Sequence, residues 1–195
     1  MSVTVRPLTG AELHGAIADL AALRIAVFAA YPYLYAGDAS YEADYLQEFV
    51  AARDAVLVAA CDGARIVGAA TASPMAAQKD EFRAPFEQRG IDTDRLFYFG
   101  ESVLLADYRG QGIGHAFFDH REAQALRSGA TGAIFAAVIR PDDHPTRPSG
   151  YVPLDAFWTK RGYAPIDGFV TQLGWKEHGE EVESLKAMQY WMRKL

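Results

Sequence analysis

The chain has 195 residues, of which 50% are hydrophobic and 12% aromatic, and its formal net charge is −6. This length suits one domain with a substantial core, so we predict a single domain over residues 1–195. The negative charge argues against nucleic acid or an anionic membrane as partner, because both are bound through basic patches. A lone cysteine excludes an internal disulfide, and no metal site is predicted. With no membrane-spanning apolar run and no signal sequence, we expect a soluble, cytoplasmic protein.

The first half of the chain predicts a strand, two helices and a hairpin. A strand near residues 3–8 precedes a helix to about residue 29, which begins with a capping box of Thr9 and Glu12. A second helix covers roughly residues 40–52. Asp62-Gly63 then joins two apolar runs, which is typical of a β-hairpin.

The second half alternates between strands and helices, with one proline-rich loop. Residues 79–89 are predicted as a short helix or an ordered loop, because Pro85 interrupts them. The elements that follow are a strand at 96–105, a helix at 112–127, a strand at 131–139, a loop at 140–150, a helix at 154–161, and strands at 171–175 and 187–192.

The most informative segment is the glycine-rich turn Arg109-Gly110-Gln111-Gly112-Ile113-Gly114. It follows a predicted strand and opens a predicted helix, so its free backbone N–H groups and the helix dipole predict an anion site suited to phosphate. A dinucleotide fingerprint fails, because His115 stands where its third glycine is required. A P-loop fails as well, because no lysine follows these glycines.

The pattern Arg109-x-x-Gly112-x-Gly114 resembles the (Gln/Arg)-x-x-Gly-x-(Gly/Ala) pyrophosphate signature of the GNAT superfamily of N-acetyltransferases. The order of predicted elements resembles that family over nearly the whole chain. The resemblance implies an α/β fold, the acyl-CoA N-acyltransferase fold, in which helices flank a central mixed sheet with two splayed strands. Here the splayed strands would be Leu96–Leu105 and Thr131–Ile139.

The resemblance also implies acetyl-CoA as co-substrate, with its pyrophosphate held mainly by backbone N–H groups. The Arg109 side chain either contacts phosphate or pairs locally. The residues that we expect at the acetyl-CoA site are Val103, Leu104, Leu105, Arg109, Gly110, Gln111, Gly112, Ile113, Gly114, His115 and Trp158.

Acetyl transfer to an amine needs a base and a proton donor for the leaving thiolate. Glu101 lies where related enzymes often place an acidic residue, and it is our candidate base; the alternatives are pairing with an arginine or a role in a backbone bulge. The family's acid tyrosine corresponds here to Trp158, whose indole cannot supply a proton. Tyr151, His144, Tyr163 or water then substitutes, or no dedicated acid exists.

Tyr31, Tyr33 and Tyr35 follow the first helix, where the family's acceptor-binding elements meet. They predict an aromatic wall for the acceptor, and packing between helices is the alternative. By contrast, His120 lies on the apolar face of the helix after the glycine turn and is predicted to be a core histidine.

Together these features predict an N-acetyltransferase that moves an acetyl group from acetyl-CoA to a primary amine of a small molecule or peptide. The alternative is a non-catalytic acyl-CoA-binding sensor or structural subunit with the same fold. Trp158 favours the alternative, whereas Glu101 and the glycine turn favour the enzyme. The sequence leaves open whether the protein is a homodimer.

Overall fold

A seven-stranded sheet forms the centre of the structure, which is a computed structural model. The structure describes residues 3–8 and 10–195, except for the side chains of Glu48 and Val50. Its strands are β1 (Thr4–Leu8), β2 (Val56–Asp62), β3 (Arg65–Pro74), β4 (Leu96–Leu104), β5 (Gly132–Val138), β6 (Ala164–Trp175) and β7 (Ser184–Lys194). They are ordered β1-β2-β3-β4-β5-β7-β6 across the sheet. All neighbouring strands are antiparallel except β4 and β5, so the sheet is mixed.

Helices cover both faces of this sheet. They are α1 (Gly10–Gly15), α2 (Ile17–Phe28), α3 (Ala39–Ala51), α4 (Asp80–Glu87), α5 (Ile113–Arg127) and α6 (Asp155–Lys160). Phe117 of α5 and Phe157 of α6 pack on one face, whereas Leu20 of α2 and Leu46 of α3 pack on the other. The α/β fold with helices flanking a mixed sheet is therefore confirmed.

Strand β2 shows why the core has two sides. Val58 belongs to the cluster under α5, whereas its neighbours Leu57 and Ala59 belong to the cluster under α2 and α3. Successive side chains of a strand point to opposite faces, so an uninterrupted apolar run indicates a strand buried on both sides. The sequence of β2 meets that requirement.

Strands β4 and β5 part soon after they begin, as the resemblance implied. They pair in parallel only from Leu96 to Tyr98, opposite Gly132 to Ile134. Beyond that point β4 continues to pair with β3, and β5 with β7, so a gap opens between their carboxyl ends. The backbone of β4 on the β5 side is consequently left without a strand partner.

Three local predictions differ from the structure in detail. The hairpin between β2 and β3 turns at Gly63-Ala64 rather than at Asp62-Gly63, with Gly63 at φ +61°. Strand β6 begins at Ala164, earlier than predicted, because an edge strand tolerates Pro165. The predicted first helix is divided into α1 and α2 at Ala16. Thr9 of the predicted capping box lies outside the described residues.

In the described part of the chain, no helix is long and apolar enough to cross a membrane.

Candidate active site

The glycine turn places an open, donor-rich loop at the start of α5. Gly110 and Gly112 have φ values of +76° and +81°, a region that favours glycine, and a Cβ at either would meet no atom within 4 Å. The backbone N–H groups of residues 110–114 have no backbone acceptor in the loops, turns and helix caps of the described chain. These free N–H groups and the N-terminus of a 15-residue helix fit a phosphate group.

The Arg109 side chain makes a local contact. Its Nε donates to the Leu104 carbonyl oxygen at 3.4 Å, and the rest of the side chain is exposed. Gln111 likewise bonds within the turn, from its amide nitrogen to the Asp107 carbonyl oxygen at 3.3 Å. Both contacts brace the loop, so its capacity to bind an anion resides in the backbone.

The strand that leads into this loop lines the gap between β4 and β5. The Val103 side chain is fully buried in the core under α2, and Leu104 is half-buried against the core under α5. Leu105 donates its N–H to the Val67 carbonyl oxygen at 3.0 Å. The side chains of all three residues are packing groups.

Trp158 packs against the core beneath the gap. Its indole lies 5.0 Å from the Phe135 ring and 5.1 Å from the Trp191 ring, centroid to centroid. His115, at the start of α5, is exposed and lies edge-on to Phe157, with ring centroids 4.8 Å apart. These contacts tie α6 to the N-terminal end of α5.

Glu101 lies in a β-bulge of β4. Ala70 pairs with Ser102 and Ala72 with Phe99, so Gly100 and Glu101 together face the single residue Thr71. An extra residue reverses the alternation of side chains along a strand. Thus Phe99 points into the core under α5, whereas Val103 points to the opposite face.

Two side chains hold this bulge in place. The Glu101 N–H donates to Thr71 Oγ1 at 3.2 Å. Arg121 of α5 is fully buried and its Nη1 approaches the carbonyl oxygens of Glu101 at 3.4 Å and Thr71 at 3.5 Å. Burial lowers the pKa of Arg121 to about 10, so the side chain remains a cation at neutral pH.

The Glu101 carboxylate meets a buried arginine on the α2 side of the sheet. Arg24 Nη1 lies 2.6 Å from Glu101 Oε1, and the Arg24 Nε donates to Glu42 Oε2. The Glu101 side chain is 7% exposed and that of Glu42 only 1%. Both sequence alternatives for Glu101, an arginine partner and a role in a backbone bulge, are thus present in the structure.

The three tyrosines after α2 have different surroundings. Tyr33 packs between Phe28 and Trp175, with ring centroids 4.7 and 5.8 Å away. The Tyr35 hydroxyl bonds to Glu42, and burial together with this bond raises the pKa of Tyr35. Tyr31 instead faces the loop between β5 and α6.

Tyr31 brings the two candidate acids together. Its ring lies 4.6 Å from Tyr151, edge-on, and 5.6 Å from His144, centroid to centroid. The His144 Nδ1 accepts the Thr146 N–H at 3.3 Å, which leaves the neutral ring's hydrogen on Nε2. Burial and the neighbouring Tyr31 hydroxyl raise the pKa of Tyr151.

Tyr33 links this aromatic cluster to Glu101. Burial first, and then the nearby Tyr151 and Glu101, raise the pKa of Tyr33 to about 12. By contact, Tyr33 packs on Phe28, and the Phe28 ring lies 5.3 Å from the guanidinium of Arg24, the partner of Glu101. The other acid candidate, Tyr163, is buried in the core under α5, where its hydroxyl donates to Glu122 at 3.1 Å.

Arg140, which the sequence analysis missed, anchors the tyrosine segment. Its Nε donates to the Pro32 carbonyl oxygen at 2.7 Å, its Nη2 donates to that of Tyr33 at 3.3 Å, and its guanidinium pairs with Glu177. His120 is half-buried, as expected, with its Nε2 3.2 Å from the Val5 carbonyl oxygen.

Comparison with known proteins agrees with this geometry. The sequence profile described as "Acetyltransferase (GNAT) family" matches residues 20–163. Among solved structures, the chain is similar to a ribosomal-protein-alanine N-acetyltransferase from Brucella melitensis, at 13% identity and a TM-score of 0.63 over 98% of this chain and 99% of that one. It is also similar to an N-acetyltransferase from Staphylococcus aureus Mu50, at 10% identity and a TM-score of 0.64 over 100% and 99% of the two chains.

At such identities the structural similarity shows the fold alone. A search of curated protein sequences finds no match to this chain.

Proposed function

We propose a function from the premise that this chain belongs to the acetyltransferase (GNAT) family. The protein transfers an acetyl group from acetyl-CoA to a primary amine of a small molecule or a peptide. The observation that carries this proposal is the Glu101 carboxylate, which is held in a bulge of β4 where that strand parts from β5, three residues before the strand's end. The single sheet supports one acetyltransferase domain over residues 1–195.

The residues present fit acetyl-CoA. The free N–H groups of residues 110–114 would hold its pyrophosphate at the N-terminus of α5. The unpaired edge of β4 after Tyr98 would pair with its pantetheine arm, and Leu104 and Trp158 would contact that arm at the gap. When bound, the co-substrate supplies an acetyl thioester.

Glu101 acts as the base. An amine is protonated near neutral pH and must lose a proton before it attacks a carbonyl carbon. The carboxylate of Glu101, which lies 2.6 Å from Arg24 Nη1, would accept this proton. The overall reaction forms one C–N bond and breaks one C–S bond: R-NH₃⁺ and acetyl-CoA give the acetamide, free CoA thiol and one proton.

Tyr151 is the first candidate for the proton donor to the leaving thiolate, and His144 the second. The raised pKa of Tyr151 keeps its hydroxyl protonated at neutral pH, as an acid requires. His144 presents its Nε2 from the same loop. Because both contact Tyr31, one aromatic cluster supports either choice.

The amine itself would bind against Tyr31, Tyr33 and Tyr35. This segment is held by Arg140 and by the Trp175 Nε1, which donates to the Tyr33 carbonyl oxygen at 3.0 Å. A wall fixed from two sides gives an acceptor a defined position. The overall charge of −6 favours a cationic acceptor over nucleic acid.

One observation favours a second candidate, a non-catalytic acyl-CoA-binding sensor. Trp158 occupies the family's acid position and packs against the Phe135 and Trp191 rings, and its indole supplies no proton. A sensor would bind acetyl-CoA without releasing free thiol in the presence of amines. Thiol release therefore distinguishes the two candidates.

The test is thiol release from acetyl-CoA across a panel of amino acids, polyamines, and peptides with a free N-terminus or lysine. We expect turnover with at least one amine. Glu101→Gln should lower kcat by about 10²- to 10⁴-fold while acetyl-CoA affinity stays unchanged, because the amide keeps the shape but cannot accept a proton.

Glu12→Gln is the matched control. Glu12 is an exposed carboxylate that pairs with Arg6 of the edge strand β1. The kcat of this variant should equal that of the wild type. Unchanged turnover in Glu101→Gln at every pH would remove Glu101 from the mechanism. Acetyl-CoA binding with no thiol release across the panel would favour the sensor.

A further inference from the structure

We propose that Arg24 is a positioning residue, shared between Glu101 and Glu42, and that Glu42 limits how strongly Arg24 acts on the base. This inference rests on the proposed role of Glu101. It assigns functions to two buried residues that lie outside the expected acetyl-CoA, acid and acceptor sites.

The geometry places one cation between two anions. Glu42 accepts a hydrogen bond from the Arg24 Nε, whereas Glu101 forms an ion pair with the Nη1 of the same guanidinium. The guanidinium also lies over the Tyr45 ring, 4.6 Å from its centroid, and over the Phe28 ring at 5.3 Å. Two carboxylates and two aromatic rings thus fix the orientation of Arg24.

The charges within this buried group do not cancel. Glu42 and Glu101 contribute two negative charges and Arg24 one positive charge. Burial by itself would lower the pKa of Arg24, but Glu101, Tyr45 and Glu42 outweigh burial and raise it, so Arg24 stays charged. In a buried setting an ion of either sign has a strong effect on its neighbours.

Glu42 is poised to compete for Arg24. It is fully buried, and its Oε1 has no hydrogen-bond partner assigned among the described side chains and backbone. The Arg24 Nε and the Tyr35 hydroxyl are therefore the groups that compensate its negative charge. Part of the attraction of Arg24 is directed to Glu42 instead of Glu101.

Other titratable groups around Glu101 keep one charge state near neutral pH. Burial raises the pKa of each surrounding tyrosine, and Arg121 remains a cation. The titratable or charged groups that face Glu101 are Arg24 from α2, Tyr33 from the segment after it, Glu42 and Tyr45 from α3, Tyr98 from β4 and Arg121 from α5. A substitution of Arg24 or Glu42 should therefore change the pH at which Glu101 titrates, without a simultaneous change in the charge of these other groups.

The two substitutions have opposite expected signs. Arg24→Met removes the cation that favours ionised Glu101, so the acidic limb of the pH profile should move up by about 1 to 3 pH units. Glu42→Gln removes a repelling anion and leaves Arg24 to Glu101 alone, so the limb should move down by roughly 1 pH unit. If Arg24 and Glu42 served only in packing, the two substitutions would not shift the acidic limb in opposite directions.

The experiment measures this limb in two ways. One is kcat/KM from pH 5 to 10 with acetyl-CoA and the best amine of the panel, whose own ionisation is common to all variants. The other is titration of the Glu101 carboxyl carbon by NMR in protein labelled with ¹³C at glutamate Cδ, assigned by its loss in Glu101→Gln. The second readout needs no acceptor.

The controls separate charge from folding. Arg24→Lys keeps the charge and should shift the limb less than Arg24→Met, whereas Arg6→Met breaks an exposed pair and should shift it not at all. Thermal unfolding verifies that each variant is folded. If Arg24→Met does not fold, Glu42→Gln tests the proposal alone. A downward shift of the acidic limb supports the proposal, and an upward shift or no shift overturns it.

Opposite shifts in the two variants support the proposal, and shifts of the same sign, or none, overturn it. Failure of the proposed function looks different. In that case Glu101→Gln keeps full turnover, whatever the titration of Glu101 shows in the Arg24 and Glu42 variants.

Discussion

The indole of Trp158 occupies a position that would otherwise be available for an acid. Its ring packs against Phe135 and Trp191, two side chains of the core under α5. The hydroxyl of Tyr151, by contrast, belongs to a half-buried loop residue whose pKa is raised by burial and by Tyr31. At the scale of single residues, the proposed proton donor therefore lies in the loop before α6 and not in α6 itself.

Tyr151→Phe and Trp158→Phe test this assignment as a pair. Because the pKa of Tyr151 is raised, its hydroxyl stays protonated to a higher pH than in a free tyrosine and is lost only on the basic limb. Tyr151→Phe should lower kcat by about 10²-fold and abolish that limb. Trp158→Phe should leave kcat within a few-fold, because a phenyl ring keeps most of the apolar contact.

The measurement is the pH dependence of kcat for both variants beside His144→Ala. If His144→Ala abolishes the basic limb while Tyr151→Phe keeps it, the histidine is the acid. A large loss of kcat confined to Trp158→Phe, with folding and acetyl-CoA binding intact, would contradict the packing role of Trp158.

Single buried charges were the hardest residues to predict from the sequence. Arg24 follows Leu20 by four positions, and Arg121 follows Phe117 by four, so each lies on an apolar helix face. A charge at such a position indicates a buried partner. The partners, Glu101 and the carbonyl groups of the bulge, are distant in sequence and become apparent only in the folded chain.

At the scale of elements, the bulge in β4 determines to which face of the sheet the Glu101 side chain points. Without the extra residue, Glu101 would continue the alternation of Phe97 and Phe99 and enter the apolar core under α5. Gly100 permits the close approach, because a Cβ there would lie 2.5 Å from Thr71 Oγ1. The chain thus uses a glycine and a hydroxyl to turn a carboxylate away from its core.

Thr71→Val should disturb the bulge without changing the volume of the core. The substitution removes the acceptor of the Glu101 N–H and leaves a buried donor unpaired, which costs about 1–3 kcal/mol. We expect the free energy of unfolding in urea to fall by this amount, and kcat to fall while KM for acetyl-CoA stays the same.

Ser73→Ala on the same strand is the control for Thr71→Val. Ser73 is also buried, and its Oγ accepts a hydrogen bond from Gln78, away from Glu101. It should lose stability but keep kcat. Equal losses of kcat in both variants would mean that strand stability, and not the position of Glu101, controls turnover.

The order and type of elements could be predicted because they depend on local patterns. Each of these patterns lies within a short segment of the sequence: the apolar runs of β2 and β3, the glycine turn before α5, and the helical spacing of apolar residues in α2. The bulge and the ion pairs could not, since both depend on pairing between residues about 30 to 80 positions apart, such as Thr71 with Glu101 and Arg24 with Glu101. The candidate acetyl-CoA loop was thus accessible from sequence, and the surroundings of the base were not.

At the scale of the whole molecule, α5 connects the two halves of the proposed reaction. Its N-terminal end presents the glycine loop, and Arg121 on its buried face contacts the bulge that holds Glu101. Tyr163 and Arg161 attach the same helix to α6 and to β6 through Glu122. A ligand bound at the loop would therefore stabilise a helix that contacts strands β1 to β5.

Acetyl-CoA should consequently raise the melting temperature of the protein. A ligand that binds only the folded state stabilises it by about 2.7 kcal/mol at 100 times its Kd, which for a chain of this size corresponds to a Tm increase of roughly 5–10 °C. Gly112→Glu should abolish this increase, because it places a side chain and a negative charge where the loop would meet pyrophosphate.

Gly63→Glu makes the matched control for the loop variant. Gly63 also has a positive φ, +61°, and an open side, but it lies in the hairpin between β2 and β3. Both substitutions introduce the same charge and a comparable backbone strain, so both should lower Tm without ligand. Only Gly112→Glu should also lose the acetyl-CoA-dependent increase, and its retention in that variant would place the pyrophosphate elsewhere on the molecule.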